Sequence, residues 1–340
     1  MPALTLSELL IRKPVFSWLF NLNTNHIAGF LLSLVAAIMW GVLPVALKEL
    51  LTGMDATTIV WYRFLVAGVI LFGWLVLTRQ VPKVMQTKPV IRAGLLIAAA
   101  GLCANYFLFS YSLNFVNAET SEAVIQLTTL FLILGGVVVY REAFVTIQKI
   151  GTLLIVAGLI LFFHDRLATL TDLENQETLG VIIVVFAAIT WTVYALLQKQ
   201  LLKSFTSVQI LALIYLFAVL VLLPFISPAI VTQLSAMQWF LLVFCCANTL
   251  IAYGCFAEAL NCWDASKVSA TLALAPLFTI SSLKILVWIN PDYAFSDHLN
   301  WISICGAVLL VLGSVLTALV PEIYRRRLER RAASTMTGIE

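Results

Sequence analysis

Long apolar segments of this sequence contain hydrogen-bonding and aromatic side chains that need a reason to lie there. A pocket for a small molecule combines apolar walls with a few hydrogen-bonding groups. We therefore predict that the polar and aromatic residues near the middle of these segments, together with one proline that frees a backbone carbonyl, bind a substrate. These are Trp40, Pro44, Asn105, Tyr106, Phe109, Gln126, Trp191, Tyr194, Asn248 and Tyr253. Trp40 and Trp191 lie too deep to belong to an interfacial aromatic belt.

Two glutamates also fall within apolar segments, where an ionised group costs about 2.5–3.5 kcal/mol at mid-span. Glu122 precedes Gln126 and Thr129 on one predicted helical stripe, and Glu258 follows Tyr253 late in its segment. Either carboxylate is a candidate proton carrier. Each also lies close enough to a helix end to touch water, so an interfacial role remains open for both.

Three cations in or beside these segments have structural interpretations. Arg63 is predicted to snorkel or to form an ion pair near the outer face of the membrane. Lys48 and Lys199 end their segments, where a cation suits the helix dipole and reaches lipid headgroups. We predict that both lysines are helix-end anchors.

Other kinds of chemistry have little support in the sequence. The three histidines do not cluster and the six cysteines form no CxxC pair, so we predict neither a metal site nor a cofactor. No GxxxxGK[ST] motif is present, which predicts that this chain does not use ATP. We predict no nucleic-acid partner, and a transporter in preference to an enzyme. The alternative is a membrane-embedded lipid-modifying enzyme or a lipid-carrier flippase.

The composition indicates that lipid is the solvent of this chain. Of its 340 residues, 62% are hydrophobic and 11% charged, and the mean hydropathy is +1.02. A soluble domain carries about 25% charged residues. The continuous apolar runs predict an all-α integral membrane protein, because a helix satisfies its own backbone hydrogen bonds in lipid. Ten spans are predicted, near 27–47, 56–77, 93–113, 120–139, 148–163, 179–198, 207–226, 237–260, 268–289 and 299–320.

The distribution of Lys and Arg predicts the orientation of the spans. With the N-terminus inside, sixteen of these residues fall on the cytoplasmic side and only Lys48 and Arg166 on the other. Both termini are therefore predicted to be cytoplasmic. The basic tail, which includes 322–331, is suited to anionic lipid, although a flank that only fixes topology would also explain it.

The sequence also contains an internal repeat. Residues 36–51 and 187–202 agree at eight of sixteen positions without a gap. Each repeat contains five predicted spans, and an odd number inverts the second repeat relative to the first, as in many secondary transporters. The predicted divisions are an N-terminal segment (1–26), either amphipathic or frayed, a first repeat (27–163), an external linker (164–178), a second repeat (179–320) and a basic tail (321–340).

Several short motifs occur in a characteristic order along the chain. They are Trp40, Gly41 and Lys48, then Arg63 and Phe64, the stretch YSLNFVNA (111–118), Glu142 with Gly151 and Gly158, and APLF (275–278). In these motifs the chain resembles the drug/metabolite transporter superfamily, specifically proteins with two EamA-type domains. The first half lacks the proline of APLF, and the second half lacks the glutamate before the glycines.

The resemblance implies a ten-helix carrier that exports amino acids, related metabolites or drugs. Together with the inverted repeats, it predicts a secondary active transporter that works by alternating access. Export is the expected direction, and whether transport is coupled to protons is left open. We expect a small-molecule substrate and a multi-pass location in a bacterial inner membrane. The substrate and the oligomeric state stay open.

Overall fold

The computed structural model describes residues 26–141, 144–263 and 265–318. Regular structure in these residues is helical, and the membrane helices are α1 (His26–Leu50), α2 (Ala56–Leu77), α3 (Pro89–Ser112), α4 in two pieces (Ala118–Ile125 and Leu127–Tyr140), α5 (Thr146–Phe162), α6 (Gln176–Leu201), α7 (Ser207–Leu222), α8 (Ala236–Cys262), α9 in two pieces (Ala265–Leu272 and Ala275–Ile289) and α10 (Trp301–Ala318). Short 3-10 turns lie at Val84–Gln86, Thr169–Thr171, Leu223–Phe225 and Pro228–Gln233. Residues 1–25 of the N-terminal segment, Glu142 and the tail 321–340 lie outside the described residues.

The helix lengths confirm the predicted membrane architecture. Within the described residues, nine helical stretches are long and apolar enough to cross a membrane. The tenth, α5, is also apolar but has only 17 residues. Since a rise of about 1.5 Å per residue gives it roughly 25 Å, α5 nearly spans the hydrocarbon layer.

Two spans are interrupted near their middle or their start. In α4 the helix tightens at Gln126, where the amide of Thr129 bonds to the Gln126 carbonyl at 3.0 Å, an i to i+3 contact. The predicted stripe from Glu122 to Thr129 crosses this tight turn, so it is not one regular helix, although Glu122 and Gln126 are both buried as predicted. In α9 the break directly precedes Pro276, as a missing backbone N–H predicts. Pro44, by contrast, lies inside α1 without ending it.

The pairing of helices follows the internal repeat. Helix α1 packs along α8, and its counterpart α6 packs along α3, the counterpart of α8. The counterparts α2 and α7 pack against each other. Helices of one repeat thus pack mainly against helices of the other, and both repeats together form the core.

Two pairs of glycines join α5 to α10 at very short range. A Cβ built on Gly158 would lie 2.8 Å from the Gly306 carbonyl oxygen, and one on Gly151 would lie 2.8 Å from the Gly313 carbonyl oxygen. Only glycine allows the two backbones to approach this closely. The residue numbers run in opposite directions along this seam, so the last helices of the two repeats are antiparallel. The repeats are therefore inverted, which confirms the prediction.

Candidate substrate site between the repeats

A buried arginine lies among aromatic side chains where the two repeats meet. Arg63, in α2, is only 3% exposed to solvent. Its Nε donates a hydrogen bond to Thr249 Oγ1 of α8 at 3.1 Å. The guanidinium carbon lies 4.7 Å from the centre of the Tyr106 ring, within cation–π range.

Four tyrosines from four different helices lie close to one another, three of them beside this arginine, and we call them, with Arg63, the tyrosine cluster. They are Tyr106 of α3, Tyr194 of α6, Tyr215 of α7 and Tyr253 of α8. Their phenols are close enough to one another to interact electrostatically, and three of the four interact with the Arg63 guanidinium as well. The Tyr106 hydroxyl lies close to the Tyr253 hydroxyl. The arrangement offers one cation and several phenolic donors to a bound molecule.

A stacked aromatic pair fixes the cluster on the side of α2 and α7. The rings of Phe64 and Tyr215 lie 5.3 Å apart with an interplanar angle of 28°, and the Phe64 and Tyr106 rings lie 4.7 Å apart. Phe64 and Tyr215 are each at most 1% exposed. These contacts hold the Arg63 backbone in place, because Phe64 is its neighbour in the chain.

Both predicted substrate-binding tryptophans reach the same tyrosine. The Trp40 ring lies 5.2 Å from the Tyr253 ring in an edge-on contact. The Trp191 indole lies close to the Tyr253 hydroxyl. The structure thus brings together Trp40, Tyr106, Trp191, Tyr194 and Tyr253, which the sequence had placed on four separate segments.

Neither interaction predicted for Arg63 is found. Its side chain is buried between helices instead of snorkelling outward, and it forms no ion pair within the described residues. Sequence reasoning also missed Thr249 and Tyr215, which face it. One signal was available, since a charged residue inside a span is by default a functional candidate.

The two predicted asparagines connect helices. Asn105 Nδ2 of α3 donates to the Ala187 carbonyl of α6 at 2.9 Å, and Asn248 Nδ2 of α8 donates to the Met39 carbonyl of α1 at 2.5 Å. These are the two equivalent helix pairs of the repeats. Asn248 Oδ1 is buried and accepts no hydrogen bond within the described part of the chain, so it remains available to a ligand.

The remaining predicted binding residues lie away from the tyrosine cluster. Phe109 packs in apolar clusters with residues of α1, α2, α5 and α8, and Pro44 is buried in α1. Gln126 accepts a hydrogen bond from Ser314 Oγ of α10 at 3.4 Å. The structure does not bring these three side chains into one site with Arg63.

The two candidate proton carriers differ in their surroundings. Glu122 is only 6% exposed and makes no hydrogen bond or ion pair with any residue that the structure describes. Glu258 is half-buried near the end of α8 and does have an interaction partner. The first piece of α4, which carries Glu122, packs against α1, α6 and α9.

A polar network lies at the end of the bundle that carries the linker between the repeats, here called the linker end. Asp297, in the loop between α9 and α10, accepts hydrogen bonds from Asn117 Nδ2 at 3.0 Å and from Thr120 Oγ1 at 2.6 Å. Arg166 Nη1 lies 3.7 Å from Asp297 Oδ1 and 2.7 Å from Glu177 Oε1. The network connects that loop to the start of α4, to the linker and to the start of α6.

A second contact of the same loop involves α4. Ser296 Oγ donates a hydrogen bond to Glu119 Oε1 at 2.8 Å. Burial, followed by the nearby Glu49 carboxylate, raises the pKa of Tyr293 in this loop, so its phenol stays neutral. The loop between α9 and α10 is thus connected to α4 through Glu119 as well as through Asn117 and Thr120.

Lys48 also contributes at the linker end, contrary to the prediction of a headgroup anchor. Its Nζ donates to the carbonyl oxygens of Leu113 and Val116, which follow the end of α3. Free carbonyls at a helix end are good acceptors for a cation, which explains why the lysine turns inward. Lys199, at the equivalent position of the second repeat, is exposed, and its Nζ lies 4.8 Å from the centre of the Tyr140 ring.

Comparisons with known proteins agree with this architecture. The model of the EamA-like transporter family matches residues 27–164 and 178–319. A solved crystal structure that is 15% identical covers 87% of this chain and 99% of its own, with a TM-score of 0.53, which shows similarity of fold.

Relatives of this chain are described as transporters. It is 40% identical over 298 residues to an uncharacterized transporter of Haemophilus influenzae, covering 88% of this chain and 97% of that protein. It is 38% identical to the uncharacterized inner membrane transporter YhbE of Escherichia coli K12, over 87% of this chain and 92% of the relative. A third relative, 23% identical over 83% of this chain and 92% of its own length, is named "Probable amino-acid metabolite efflux pump" in Escherichia coli K12. The chain is thus a multi-pass membrane protein that belongs to the EamA-like transporter family.

Proposed function

We propose that this protein is a secondary active transporter that moves amino acids or related small metabolites by alternating access. The observation that carries the proposal is the tyrosine cluster, a set of polar and aromatic groups enclosed between two inverted five-helix repeats. Inverted repeats favour two conformations of similar energy, one open to each side of the membrane. We assign residues 27–163 and 179–320 to the two moving halves and 164–178 to the linker between them.

In this mechanism the substrate binds at the tyrosine cluster while one end of the bundle is closed. The network around Asp297 and Arg166 closes the linker end, which the charge distribution makes the external one, with both termini cytoplasmic. Release to that side then requires the Asp297 contacts to break and the corresponding contacts at the other end to form. The direct hydrogen bonds at Asp297 set the cost of this opening.

Export is the proposed direction, and proton entry is the proposed driving force. The name of the 23% identical relative supports an amino-acid metabolite as cargo and efflux as direction. Glu122 is the better placed of the two proton carriers, because it is buried and has no partner within the described residues. Glu258 is the second candidate. The membrane is proposed to be a bacterial inner membrane, with anionic lipid at the basic tail 321–340.

The proposal is tested with the full chain in liposomes that contain no ATP. Counterflow of radiolabelled amino acids, taken one at a time, should reveal at least one that accumulates. Trp40→Ala and Trp191→Ala should each lower that rate about tenfold or more, because each removes a contact with Tyr253.

A matched control is Trp288→Ala, which removes an indole that is 83% exposed and remote from the cluster. Its transport rate should equal that of the unaltered protein. Normal transport by both the Trp40 and the Trp191 variants would show that the substrate pathway lies elsewhere. ATP-dependent transport, or none for any tested compound, would contradict the secondary carrier itself.

A further inference from the structure

We propose that the substrate carries a carboxylate group and that Arg63 binds this group through Nη1 and Nη2. The inference deepens the proposed function, on which it rests, by giving the chemical class of the cargo. It assigns a ligand-binding role to a residue that neither the helix packing nor the ion pairs of the structure require.

The charge of Arg63 is uncompensated. Only its Nε has a hydrogen-bond acceptor, Thr249 Oγ1, while Nη1 and Nη2 have none among the residues that the structure describes. No described carboxylate lies within ion-pair distance of the guanidinium. A buried cation without an anion is expensive in a membrane, so a negative group supplied by a ligand would be bound with a large gain in free energy.

The guanidinium is also held in a defined position. Thr249 Oγ1 donates its own proton to the Cys245 carbonyl at 3.1 Å, which leaves its lone pairs to accept from Arg63 Nε. The Tyr106 ring supports the guanidinium at 4.7 Å. Two nitrogens of a planar fork thus remain free for the two oxygens of a carboxylate, the geometry in which Arg binds anions most strongly.

The rest of the cluster suits a singly charged molecule with an apolar part. The tyrosine cluster contains one cation, whereas a phosphate ester with two charges calls for a second. The phenols of Tyr106 and Tyr253 offer hydrogen bonds beside the guanidinium, and the rings of Trp40 and Trp191 offer apolar walls. A small carboxylic acid or amino acid combines these features.

The test measures ligand binding separately from transport. The purified full chain in nanodiscs is screened by thermal shift against the twenty amino acids, benzoate and 4-phenylbutyrate, the primary amides of the same compounds, and phenyl phosphate. We expect at least one carboxylate to stabilise the protein and its amide to have no effect. Arg63→Gln should weaken binding of that carboxylate at least about 30-fold, the effect of removing one partner of a buried charge pair.

Three further variants separate binding from a structural role. Arg63→Lys keeps the charge but loses the fork, so it should retain only part of the affinity. Tyr106→Phe keeps the ring beside the guanidinium and should still require Arg63 for carboxylate binding. Arg92→Gln removes one cation at the cytoplasmic start of α3 and should bind like the unaltered protein.

Each other result overturns the inference. Equal stabilisation by a carboxylate and its amide would do so, as would stronger binding of phenyl phosphate, or unchanged carboxylate affinity in Arg63→Gln. Absence of any carboxylate binding would do so too. Arg63-dependent carboxylate binding without counterflow in liposomes would instead leave the binding site intact and contradict the proposed carrier function.

Discussion

The two repeats share their framework but differ at the positions that carry charge. Helices α2 and α7 begin after equivalent caps, Asp55 and Thr206, whose side-chain oxygens accept from the backbone N–H three residues later. Eight residues beyond each cap stand Arg63 and Ile214. The first repeat thus has a buried cation where the second has a fully buried isoleucine.

The next position along the same helices shows that this register is correct. Phe64 and Tyr215, nine residues beyond the caps, stack on each other across the interface of the repeats. Helices α4 and α9 show the same difference between the repeats. Glu122 of α4 is buried, whereas Ser269, the aligned residue of α9, is exposed. The buried charged residues of the described part of the chain, Arg63, Glu119 and Glu122, therefore all belong to the first repeat.

This difference separates the requirements of packing from those of chemistry. The glycine seam of α5 and α10 needs a glycine from both sides, since a side chain on either helix would collide with the other backbone. A bound anion or a carried proton needs one charged group, and a second copy would only add a buried charge. We expect symmetric effects of substitutions in the seam and asymmetric effects at the charges.

The largest effect should come from the seam. Gly158→Leu and Gly306→Leu should each prevent stable folding, because their Cβ atoms would lie 2.6 Å from the Leu310 nitrogen and 2.4 Å from the Phe162 nitrogen, respectively. Backbone atoms cannot move aside as a side chain can, so the loss should exceed about 3 kcal/mol. The measurement is the yield of monodisperse protein by size-exclusion chromatography.

The control for the seam is Gly73→Leu in α2, where an added Cβ meets no atom within 4 Å. Its yield should match that of the unaltered chain. A large difference between the Gly158 and Gly306 variants would contradict the symmetry of the framework.

The next effect concerns the buried cation. Arg63→Met should abolish transport while leaving the melting temperature unchanged or higher, because it removes an unpaired charge that costs about 2.5–3.5 kcal/mol in a span. Thermal unfolding and counterflow are measured on the same preparation. A fall in melting temperature of more than about 5 °C would mean that Arg63 stabilises the fold.

Ile214→Met, at the equivalent position of the second repeat, is the matched control. It nearly conserves volume in an apolar site, so its cost should stay below about 1.5 kcal/mol and transport should continue. Loss of transport in both variants would show that the two repeats are equally sensitive at this position. It would contradict the expected asymmetry between the charged and the apolar position.

A smaller effect is expected at the buried carboxylate. Glu122→Gln should still bind substrate but should no longer respond to an imposed pH gradient, because its amide cannot release and rebind a proton. The readout is the ratio of transport rates with and without the gradient. Glu258→Gln, tested in parallel, should keep that response.

If Glu258→Gln lost the response to the pH gradient and Glu122→Gln kept it, the proton pathway would lie at α8 in the second repeat. A full response in both variants would exclude proton coupling through either carboxylate and would leave the carrier proposal standing.

The smallest effect is predicted at the linker end. Asp297→Asn removes the negative charge that interacts with Asn117, Thr120 and Arg166. The linker end should then open about fivefold more often, the effect of losing roughly one hydrogen bond. A cysteine replacing Ser121, which is fully buried behind the network, reports the opening through its reaction rate with a membrane-impermeant maleimide. Asp172→Asn, an exposed substitution in the linker, should leave that reaction rate unaltered. If the reaction rate of the Asp297→Asn variant also stayed unaltered, the network would not control the opening.

The sequence by itself determined the architecture, because each of its signals is local or periodic. Continuous apolar runs require helices in lipid, an odd number of spans per repeat requires inversion, and glycines seven residues apart share one helix face. It also selected Trp40, Tyr106, Trp191, Tyr194 and Tyr253 as binding candidates, and the structure brings these five side chains together.

Only the tertiary structure decided which of these residues meet. Spacing along one helix does not reveal the partner helix, so Arg63 was expected to snorkel or to form an ion pair, whereas it lies beside tyrosines of three other helices. Lys48 was assigned to lipid for the same reason and instead binds carbonyls beyond the end of α3. A charged side chain is placed by the groups available around it in three dimensions, and those groups lie more than forty residues away in the chain.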